Sequence, residues 1–539
     1  MKKNAGEIIC GQVEGIRVVP VTIEIDISPG LFHFKIVGLA GKSVDEAKER
    51  INSAVKNTGF KAPKHCNRKT IVSLAPADIP KKGAYFDAAI ALNYLIASKQ
   101  INPPKSKILI LGELSFDGRL KSTNHCLIIA LHAESLGVNR IVLPEDCEKT
   151  LLNLIKIPIF FCKNITEAIE HLENENISKE VIADNSEVPK EKTAAKKNYI
   201  YDTIAGNSDA KRALAIGLCG GHHISFCGTP GTGKTLLAQS AAELLPKLNP
   251  RDAIDSYTLH LLKNIIVKNP FIPPFRNPHH SSTTNSLLGG GNSFLPGEIC
   301  LAHKGILFLD EFLEFKKEAI ESLRQSLESK KIVVSRSAYS ITCPCDTILI
   351  ATHNPCPCGY SGSSIHSCSC TAHGIEQYLR KLSGPIIDRI DLHVFLEKVD
   401  YAELSNKIPR ESVTIATKGE SKSGDKADSK DRCTSEGEKL SKIIEKTRII
   451  QKERQKKLNS HLTHAEVSRL INTVDPETKR YLNECARKLN LSARAYHSVI
   501  KVAQTITDIA SANNKGEEES VIQKNTVQEA LYFRSRYKN

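Results

Sequence analysis

Long hydrophobic runs are absent from this sequence. No apolar stretch approaches the roughly 18 residues that a membrane-spanning helix requires, which argues against a membrane partner. Lys2 and Lys3 are not followed by an apolar segment, so a secretory leader is not predicted either. We therefore expect a cytoplasmic protein, whose 16 cysteines are thiols or metal ligands and do not form a disulfide framework.

The composition is that of an ordinary globular protein. A chain of 539 residues predicts about three domains, and 40% hydrophobic with 25% charged residues is typical of packed domains. The net charge of +14 favours a polyanionic partner, because each phosphate that is neutralised releases counterions. A lysine-rich proteome would produce the same excess without any such partner.

The most informative motif is a phosphate-binding loop. The pattern G-x-x-x-x-G-K-[ST] is formed by Gly228, Thr229, Pro230, Gly231, Thr232, Gly233, Lys234 and Thr235. Its glycines let backbone N–H groups face phosphate oxygens, its lysine reaches the β- and γ-phosphates, and its threonine hydroxyl ligates Mg²⁺. Residues 224–227 predict a buried strand before the loop, and residues 236–245 predict a helix after it. The motif therefore predicts binding of ATP with Mg²⁺.

Two further strand ends carry polar residues suited to triphosphate hydrolysis. Residues 305–309 form an apolar run that ends at Asp310 and Glu311, which we expect beside Mg²⁺ and beside the attacking water. The apolar run 348–352 leads to Asn354, whose side chain could orient the same water. The alternative for Asn354 is a structural one, namely the start of a turn before proline.

Two arginines are candidates for contacts across a subunit interface. Arg389 follows a helix predicted at residues 377–382 and could stabilise charge on the γ-phosphate bound by a neighbouring subunit. Its alternative role is an ion pair with Asp388 or Asp391 at a helix end. Arg494 is predicted to open a helix with Ser492 as the N-cap, and its alternative is a solvated surface charge.

Two close cysteine pairs could hold a metal. Four thiolates could bind a tetrahedral Zn²⁺, and these are Cys356, Cys358, Cys368 and Cys370. A metal would stabilise a short loop that has few other core residues. Spacing of the C-x-C type is less usual than C-x-x-C, so a reduced cysteine-rich loop stays open as the alternative. Cys343 and Cys345 are interpreted as packing residues, and the histidines His279 and His280 as hydrogen-bonded structure.

Basic residues cluster near the C-terminus. They are Arg448, Lys452, Arg454, Lys456, Lys457, Arg534, Arg536 and Lys538. These side chains could contact nucleic-acid phosphates, but charge runs on helices are more often solvated faces.

With these motifs in place, the chain resembles AAA+ ATPases of the Mg-chelatase-like group and, within it, the ComM/YifB family. The resemblance spans nearly the whole chain and is most specific at residues 278–280, 289–291, 296–299, 307–311, 354–359, 383–385, 388–389 and 491–494. It implies these roles: Walker A for Lys234 and Thr235, Walker B for Asp310 and Glu311, sensor 1 for Asn354, arginine finger for Arg389 and sensor 2 for Arg494.

The resemblance also implies an α/β fold, with an AAA+ P-loop NTPase core, a C-terminal helical lid and an N-terminal Lon-like domain of the ribosomal S5 domain 2 type. The expected domains are a ChlI/Lon-like domain (1–172), a linker (173–200), the ATPase core (201–400), a flexible insertion (401–440) and the lid (441–539). A Lon-type protease needs a serine and a lysine. Tyr85 and Leu127 stand near their places, so peptide hydrolysis is expected to be lost.

The function that the resemblance implies is an ATP-driven motor, a ring of six subunits that acts on DNA. Its relatives are helicases that promote branch migration when incoming DNA recombines during natural transformation. Residues 271–296 are candidates for a loop that lines the pore of such a ring, and Arg276 is the only lysine or arginine in them. The alternatives are a Mg-chelatase-type ATPase and a protein-remodelling ATPase.

Overall fold

The computed structural model describes residues 6–173, 198–290, 295–335, 340–362, 366–382, 384–399, 435–513 and 521–535. The described residues fall into two compact units. The first comprises those of 1–193, 250–270 and 335–342, and the second those of 194–249, 271–334 and 343–539. Among the helices of the described residues, none is long and apolar enough to cross a membrane.

The first unit contains a mixed seven-stranded sheet with helices packed on it. Its strands are β1 (Ile8–Glu14), β2 (Arg17–Pro29), β3 (His33–Val37), β4 (Arg68–Ala75), β5 (Ile108–Ile110), β6 (Glu113–Leu114), β7 (Leu120–Lys121), β8 (Arg140–Pro144) and β9 (Ile159–Cys162). Its first helices are α1 (Lys42–Asp45), α2 (Ala47–Asn57), α3 (Asp87–Ala97), α4 (Asn124–Leu131) and α5 (Ile165–Glu173).

The order of strands in this sheet is β3-β4-β2-β1-β5-β8-β9, with β6 and β7 forming a separate pair. Strand β2 pairs antiparallel with β1 and β4, and the remaining neighbours are parallel. Helix α3 is apolar on all sides and is almost entirely buried, as expected for a helix inside a core.

The strands that follow along the chain are β10 (Ile224–Gly228), β11 (Phe275–Arg276), β12 (Gly289–Gly290), β13 (Leu295–Pro296), β14 (Ile306–Leu309), β15 (Lys331–Ser335), β16 (Ser340–Pro344), β17 (Ile348–His353) and β18 (Leu392–Leu396). Five of them form a sheet in the second unit in the order β11-β14-β17-β10-β18. All four pairings in this sheet are parallel, so every strand ends at the same edge.

The helices that follow α5 are α6 (Ile200–Thr203), α7 (Ser208–Gly220), α8 (Lys234–Leu244), α9 (Pro250–Leu262), α10 (Thr284–Leu288), α11 (Glu298–Leu301), α12 (Lys317–Ser329), α13 (Ala372–Leu379) and α14 (Gly384–Ile387). Short 3₁₀ helices cover Pro63–His65, Ala84–Phe86, Ala133–Leu136, Leu152–Leu154, Phe312–Glu314 and Asn459–His461.

The C-terminal part is helical. It contains α15 (Glu436–Gln455), α16 (His464–Thr473), α17 (Pro476–Lys488), α18 (Ala493–Asn513) and α19 (Lys524–Ser535). Three of these helices begin at side-chain caps, namely Ser435, Thr463 and Asp475. Val499 and Ile506 on α18 share one hydrophobic core with Phe226 of β10, so these helices pack onto the sheet of the second unit.

The predicted α/β fold with C-terminal helices is confirmed. The domain boundaries stay predictions, and the structure differs from them in one respect. Helix α9 and the described residues of 335–342 lie within the range assigned to the ATPase core, 201–400, but belong to the first compact unit. Most of the predicted linker (174–197) and of the predicted insertion (401–434) lies outside the described residues, and α15 begins within the range 401–440.

Candidate functional site

The predicted phosphate-binding loop joins β10 to α8. Gly231 and Gly233 have φ of +81° and +85°, a left-handed conformation that residues with a Cβ adopt only at a cost. A Cβ at either glycine would have no neighbouring atom within 4 Å, so the loop is open on this side. An open glycine loop at a helix N-terminus, where backbone N–H groups are free of intrahelical partners, is suited to a phosphate group.

Lys234 lies at the start of α8 and folds back over the loop. Its Nζ donates to the carbonyl oxygens of Gly228 at 2.6 Å and Thr229 at 2.9 Å, and to Oδ1 of Asn354 at 3.1 Å. Burial lowers the pKa of Lys234, and nearby anionic groups, including Asp310, oppose this effect. The predicted Walker A lysine and sensor asparagine are therefore in direct contact.

Asp310 lies just beyond the end of β14 and contacts both the phosphate-binding loop and strand β17. Its Oδ2 accepts a hydrogen bond from Thr235 at 3.0 Å, and its Oδ1 accepts from the Thr352 hydroxyl on β17. A threonine hydroxyl beside a carboxylate is the donor set that holds Mg²⁺ in P-loop enzymes. The residues present therefore fit a Mg²⁺–triphosphate group.

Glu311 follows in a left-handed backbone conformation, with φ of +51°. Its Oε2 lies 3.3 Å from Nδ1 of His280, and its side chain is 57% exposed, so the carboxylate is accessible. His279 contacts the Ser281 hydroxyl at 2.8 Å, which confirms the hydrogen-bonded interpretation for this histidine. The contact between His280 and Glu311 was not predicted, because nothing in either motif indicates the other.

The four cysteines of the predicted metal site lie together. Their sulfur atoms are all within 4.8 Å of one another. The distances from Cys356 are 3.3 Å to Cys358 and 3.7 Å to Cys368, and Cys358 lies 3.5 Å from Cys368. A Zn–S bond length of about 2.3 Å gives tetrahedral S···S distances of about 3.8 Å, so the cluster fits zinc closely. Among the described residues, no other group of three or more potential ligands has comparable geometry.

Cys343 and Cys345 are buried, and the Cys345 thiol donates to the carbonyl of Ser326, which confirms their interpretation as packing residues.

Arg389 and Arg494 converge on one carboxylate. Both guanidinium groups pair with Glu328 on α12, one with each carboxylate oxygen. Arg389 is 7% exposed, and its Nη1 also donates to the carbonyl of Pro385 at 2.6 Å. Arg494 is 42% exposed, and Ser492 caps its helix by accepting from the Ala495 amide at 3.1 Å. Arg389 thus pairs with Glu328 and not with Asp388 or Asp391, so its alternative ion pair is wrong. Arg494 is a partly exposed charge that is paired with Glu328, and its sensor role stays a prediction.

The two aspartates of this motif have other partners. Asp388 accepts from Arg534 at 3.0 Å and from Ser492 at 2.9 Å. Asp391 accepts from the Ser498 hydroxyl and lies 3.1 Å from Nδ1 of His222. These contacts tie the segment that carries Arg389 to the C-terminal helices.

A cavity of about 650 Å³ borders the two arginines. Its lining combines cationic and imidazole side chains with carboxylates: Arg389, Arg494, Lys501, His464 and His497 with Glu328, Asp388 and Asp391. The Nε atom of Arg389 is buried and has no hydrogen-bond partner among the described residues. This surface is suited to an anionic group.

The basic residues near the C-terminus are mostly engaged within the protein. Arg454 pairs with Asp508 at 2.6 Å, and Lys457 pairs with Glu466 at 2.7 Å. Arg448 donates to the carbonyl of Leu218 at 2.8 Å. Arg534 is buried against Asp388, while Arg536 and Lys538 lie outside the described residues. Internal partners thus engage Arg448, Arg454, Lys457 and Arg534, and contact of this segment with nucleic-acid phosphates stays a prediction.

In the predicted pore loop, Arg276 is held by Glu298 at 2.7 Å. Residues 291–294 of this segment lie outside the described residues.

Comparison with known proteins agrees with this geometry. Three family models match the chain: "Magnesium chelatase, subunit ChlI" at residues 201–404, "Subunit ChlI of Mg-chelatase" at 23–147, and "Magnesium chelatase, subunit ChlI C-terminal" at 434–534. YifB of Salmonella typhimurium is 35% identical over 525 residues, which cover 97% of this chain and 95% of the relative.

The competence protein ComM of Haemophilus influenzae is 34% identical over 502 residues, which cover 92% of each chain. The chloroplastic magnesium-chelatase subunit ChlI-1 of Arabidopsis thaliana is 25% identical over 215 residues, which cover 34% of this chain and 50% of the relative. The chain belongs to the Mg-chelatase-like ComM/YifB family.

Proposed function

We propose that this protein is a cytoplasmic, ATP-driven DNA motor that works as a ring of six subunits. The observation that carries the ATPase part is the convergence of Lys234, Thr235, Asp310 and Asn354 at one edge of a parallel sheet. Ligands bind outside the carboxyl ends of such strands because the loops there can approach one another without crossing the sheet.

Each residue of this edge has a distinct role. Lys234 exchanges its hydrogen bonds to the loop carbonyls for ion pairs with the β- and γ-phosphates. Thr235 and Asp310 hold Mg²⁺, which neutralises charge on the phosphates when bound. Glu311 is accessible and polarises the attacking water, and Asn354 orients it from the adjacent strand.

Arg389 and Arg494 complete the site from the neighbouring subunit. Among the described residues, neither guanidinium contacts the phosphate-binding loop, and both point at the carboxylate of Glu328 beside the 650 Å³ cavity. The γ-phosphate of a neighbour's ATP would compete with Glu328 for this pair. Arginines that act in this way stabilise the charge of the transition state.

The DNA part of the proposal rests on the relationship to a protein named for competence, over 92% of both chains, and on the net charge of +14. We infer branch migration of recombining strands as the activity, with residues 271–296 lining the pore. Because several of the basic residues near the C-terminus are paired internally, DNA contacts are expected elsewhere on the surface.

The N-terminal domain is proposed to have a Lon-like fold without protease activity. Tyr85 and Leu127, at the expected places of serine and lysine, are buried, with exposures of 0% and 2%. The Tyr85 hydroxyl lies 3.3 Å from Oε1 of Gln12. Neither side chain can supply the nucleophile or its base.

We also propose one Zn²⁺ per subunit at the four cysteines. Among the described residues of 354–371, Cys356 is the only buried hydrophobic side chain, so packing alone does little to hold this loop. A bound metal would provide the missing stabilisation.

One assay tests the motor function against its alternatives. ATPase rate is measured for the full chain alone, with forked or branched DNA, with duplex DNA of equal length, and with an unfolded protein. We expect branched DNA to stimulate the rate most and to be unwound or migrated only with ATP. Stimulation by unfolded protein alone would contradict the DNA proposal and favour protein remodelling. An effect that requires magnesium-chelatase partner subunits would favour the chelatase alternative.

A further inference from the structure

We infer that the cysteine loop is a positioning element of the ATPase site: its bound metal sets the position of Asn354 and buttresses the phosphate-binding loop. The inference rests on the proposed ATPase function and on zinc at the four cysteines. It gives the metal a positioning role. The metal would influence nucleotide affinity and turnover at the neighbouring nucleotide site, to which the four cysteines do not themselves contribute a ligand.

The first link runs along the chain. Asn354 follows β17 directly, and Cys356, the most buried of the four cysteines, is two residues further on. Strand β17 fixes the position of the chain before Asn354 and Pro355, and the metal at Cys356 would fix it after them. The amide oxygen that contacts Lys234 at 3.1 Å thus lies between two anchors.

The second link runs through space. Gly359 has φ of +86°, and a Cβ at this position would lie 2.9 Å from both Cδ and Cγ of Pro230 in the phosphate-binding loop. The turn that carries Gly359 is tied to the first cysteine, since its amide donates to the carbonyl of Cys356 at 2.9 Å. The amide of Ser361 points at the Cys356 sulfur, 3.2 Å away.

These contacts make the cysteine loop a support for the phosphate-binding loop. Only glycine allows this approach, both for its backbone conformation and for its lack of a side chain. Because packing contributes little within the loop, loss of the metal would free the turn and the Asn354 side chain together. Some groups do not touch the ligand but orient the residues that do, and their removal typically lowers affinity or activity by about 10- to 100-fold.

The test compares the full-length wild type with two perturbations and a control. The double variant Cys368→Ser/Cys370→Ser removes two metal ligands. Gly359→Ala leaves all four ligands in place but forces the turn away from Pro230. Cys66→Ser changes a partly exposed cysteine outside the cluster and serves as the control. Zinc content, visible absorption after cobalt substitution, affinity for a fluorescent ADP analogue and ATPase rate are measured for each protein.

We expect one zinc per subunit and a tetrahedral thiolate–cobalt spectrum in the wild type and in Cys66→Ser. The double variant should lose the metal, and both its ADP affinity and its kcat should fall by about 10- to 100-fold. Gly359→Ala should keep the metal and show losses in the same range, which a merely structural metal would not produce.

Three results would overturn the inference. They are a wild type without metal that turns over normally, a metal-free double variant with wild-type ADP affinity and kcat, and a Gly359→Ala protein with wild-type values. Failure of the motor proposal is distinguishable, because metal content and ADP affinity can be read even if no ATP is hydrolysed.

Discussion

Replacing Arg389 by alanine separates catalysis from stability. The guanidinium is 7% exposed, but its carboxylate partner, Glu328, is 51% exposed and keeps Arg494 as a second partner. The ion pair is exposed on its Glu328 side, so its loss should cost about 1 kcal/mol, and the lost packing of the buried arginine side chain should cost a similar amount. We therefore expect the free energy of unfolding to fall by only about 1–2 kcal/mol.

The effect on turnover should be far larger. An arginine that neutralises charge on a transferring phosphoryl group contributes about 10³- to 10⁵-fold in kcat, which corresponds to about 4–7 kcal/mol. Nucleotide binding should be nearly unchanged, because among the described residues Arg389 has no contact with the phosphate-binding loop of its own subunit. Steady-state ATPase rates, binding of a fluorescent ATP analogue and thermal unfolding measure the three quantities separately.

Mixing subunits shows whether the arginine acts across an interface. Lys234→Ala subunits cannot hydrolyse ATP but retain Arg389, whereas Arg389→Ala subunits retain the phosphate-binding loop. In an equal random mixture, about a quarter of the interfaces pair an intact loop with an intact arginine, so activity should reappear. Glu328→Gln is the control for the ion pair, and its kcat should fall far less. An Arg389→Ala protein within tenfold of the wild-type rate, or a mixture that stays inactive, would refute the assignment.

The other predictions concern the nucleotide side of the site. Lys234→Ala should abolish productive ATP binding, because the Nζ that reaches the phosphates is removed; tight binding in a filter or fluorescence assay would contradict this. Glu311→Gln should retain ATP binding but lose turnover, since the amide cannot polarise water; single-turnover measurements with normal product formation would exclude that role. Gly231→Ala should weaken nucleotide affinity, because alanine at φ of +81° costs about 1–2 kcal/mol; a nucleotide titration with unchanged Kd would argue against the loop conformation.

The nucleotide side of the site could be predicted from sequence because its signals are local. An apolar run of four or five residues followed by a polar residue indicates a strand end, and parallel pairing then brings such ends to one edge. Lys234, Asp310 and Asn354 were each recognisable from their own neighbours, although they are far apart in sequence. Their contacts in the structure follow from the strand order β14-β17-β10.

The helix boundaries show where local reasoning was less accurate. The helix before Arg389 was expected at residues 377–382, but α13 covers Ala372–Leu379. Thr371 caps it, since its hydroxyl accepts from the Gly374 amide. Thr371 directly follows Cys370, so the sequence alone suggests a residue of the cysteine loop and does not indicate a helix cap.

Side-chain pairs between distant elements could not be predicted. Glu328 lies on an amphipathic helix with two other glutamates, and only the fold shows that it meets both arginines. The same holds for the pair of His280 with Glu311 and for Gly359 against Pro230. A run of basic residues was equally ambiguous, because sequence does not tell whether Arg454 faces solvent or Asp508.

The separation of the phosphate-binding lysine from the two arginines bears on the mechanism. Within the described part of one subunit, Lys234 is bound by its own loop and by Asn354, while Arg389 and Arg494 are bound by Glu328. A single subunit thus keeps its phosphate-binding lysine apart from these two arginines. The lysine is hydrogen-bonded to neutral oxygens, and the arginines are paired with Glu328. In the proposed mechanism, hydrolysis requires both the phosphate-binding residues and the arginines around one triphosphate. If the arginines act as proposed, a neighbouring subunit must bring them, and the ATPase rate per subunit should rise steeply with protein concentration as the ring assembles.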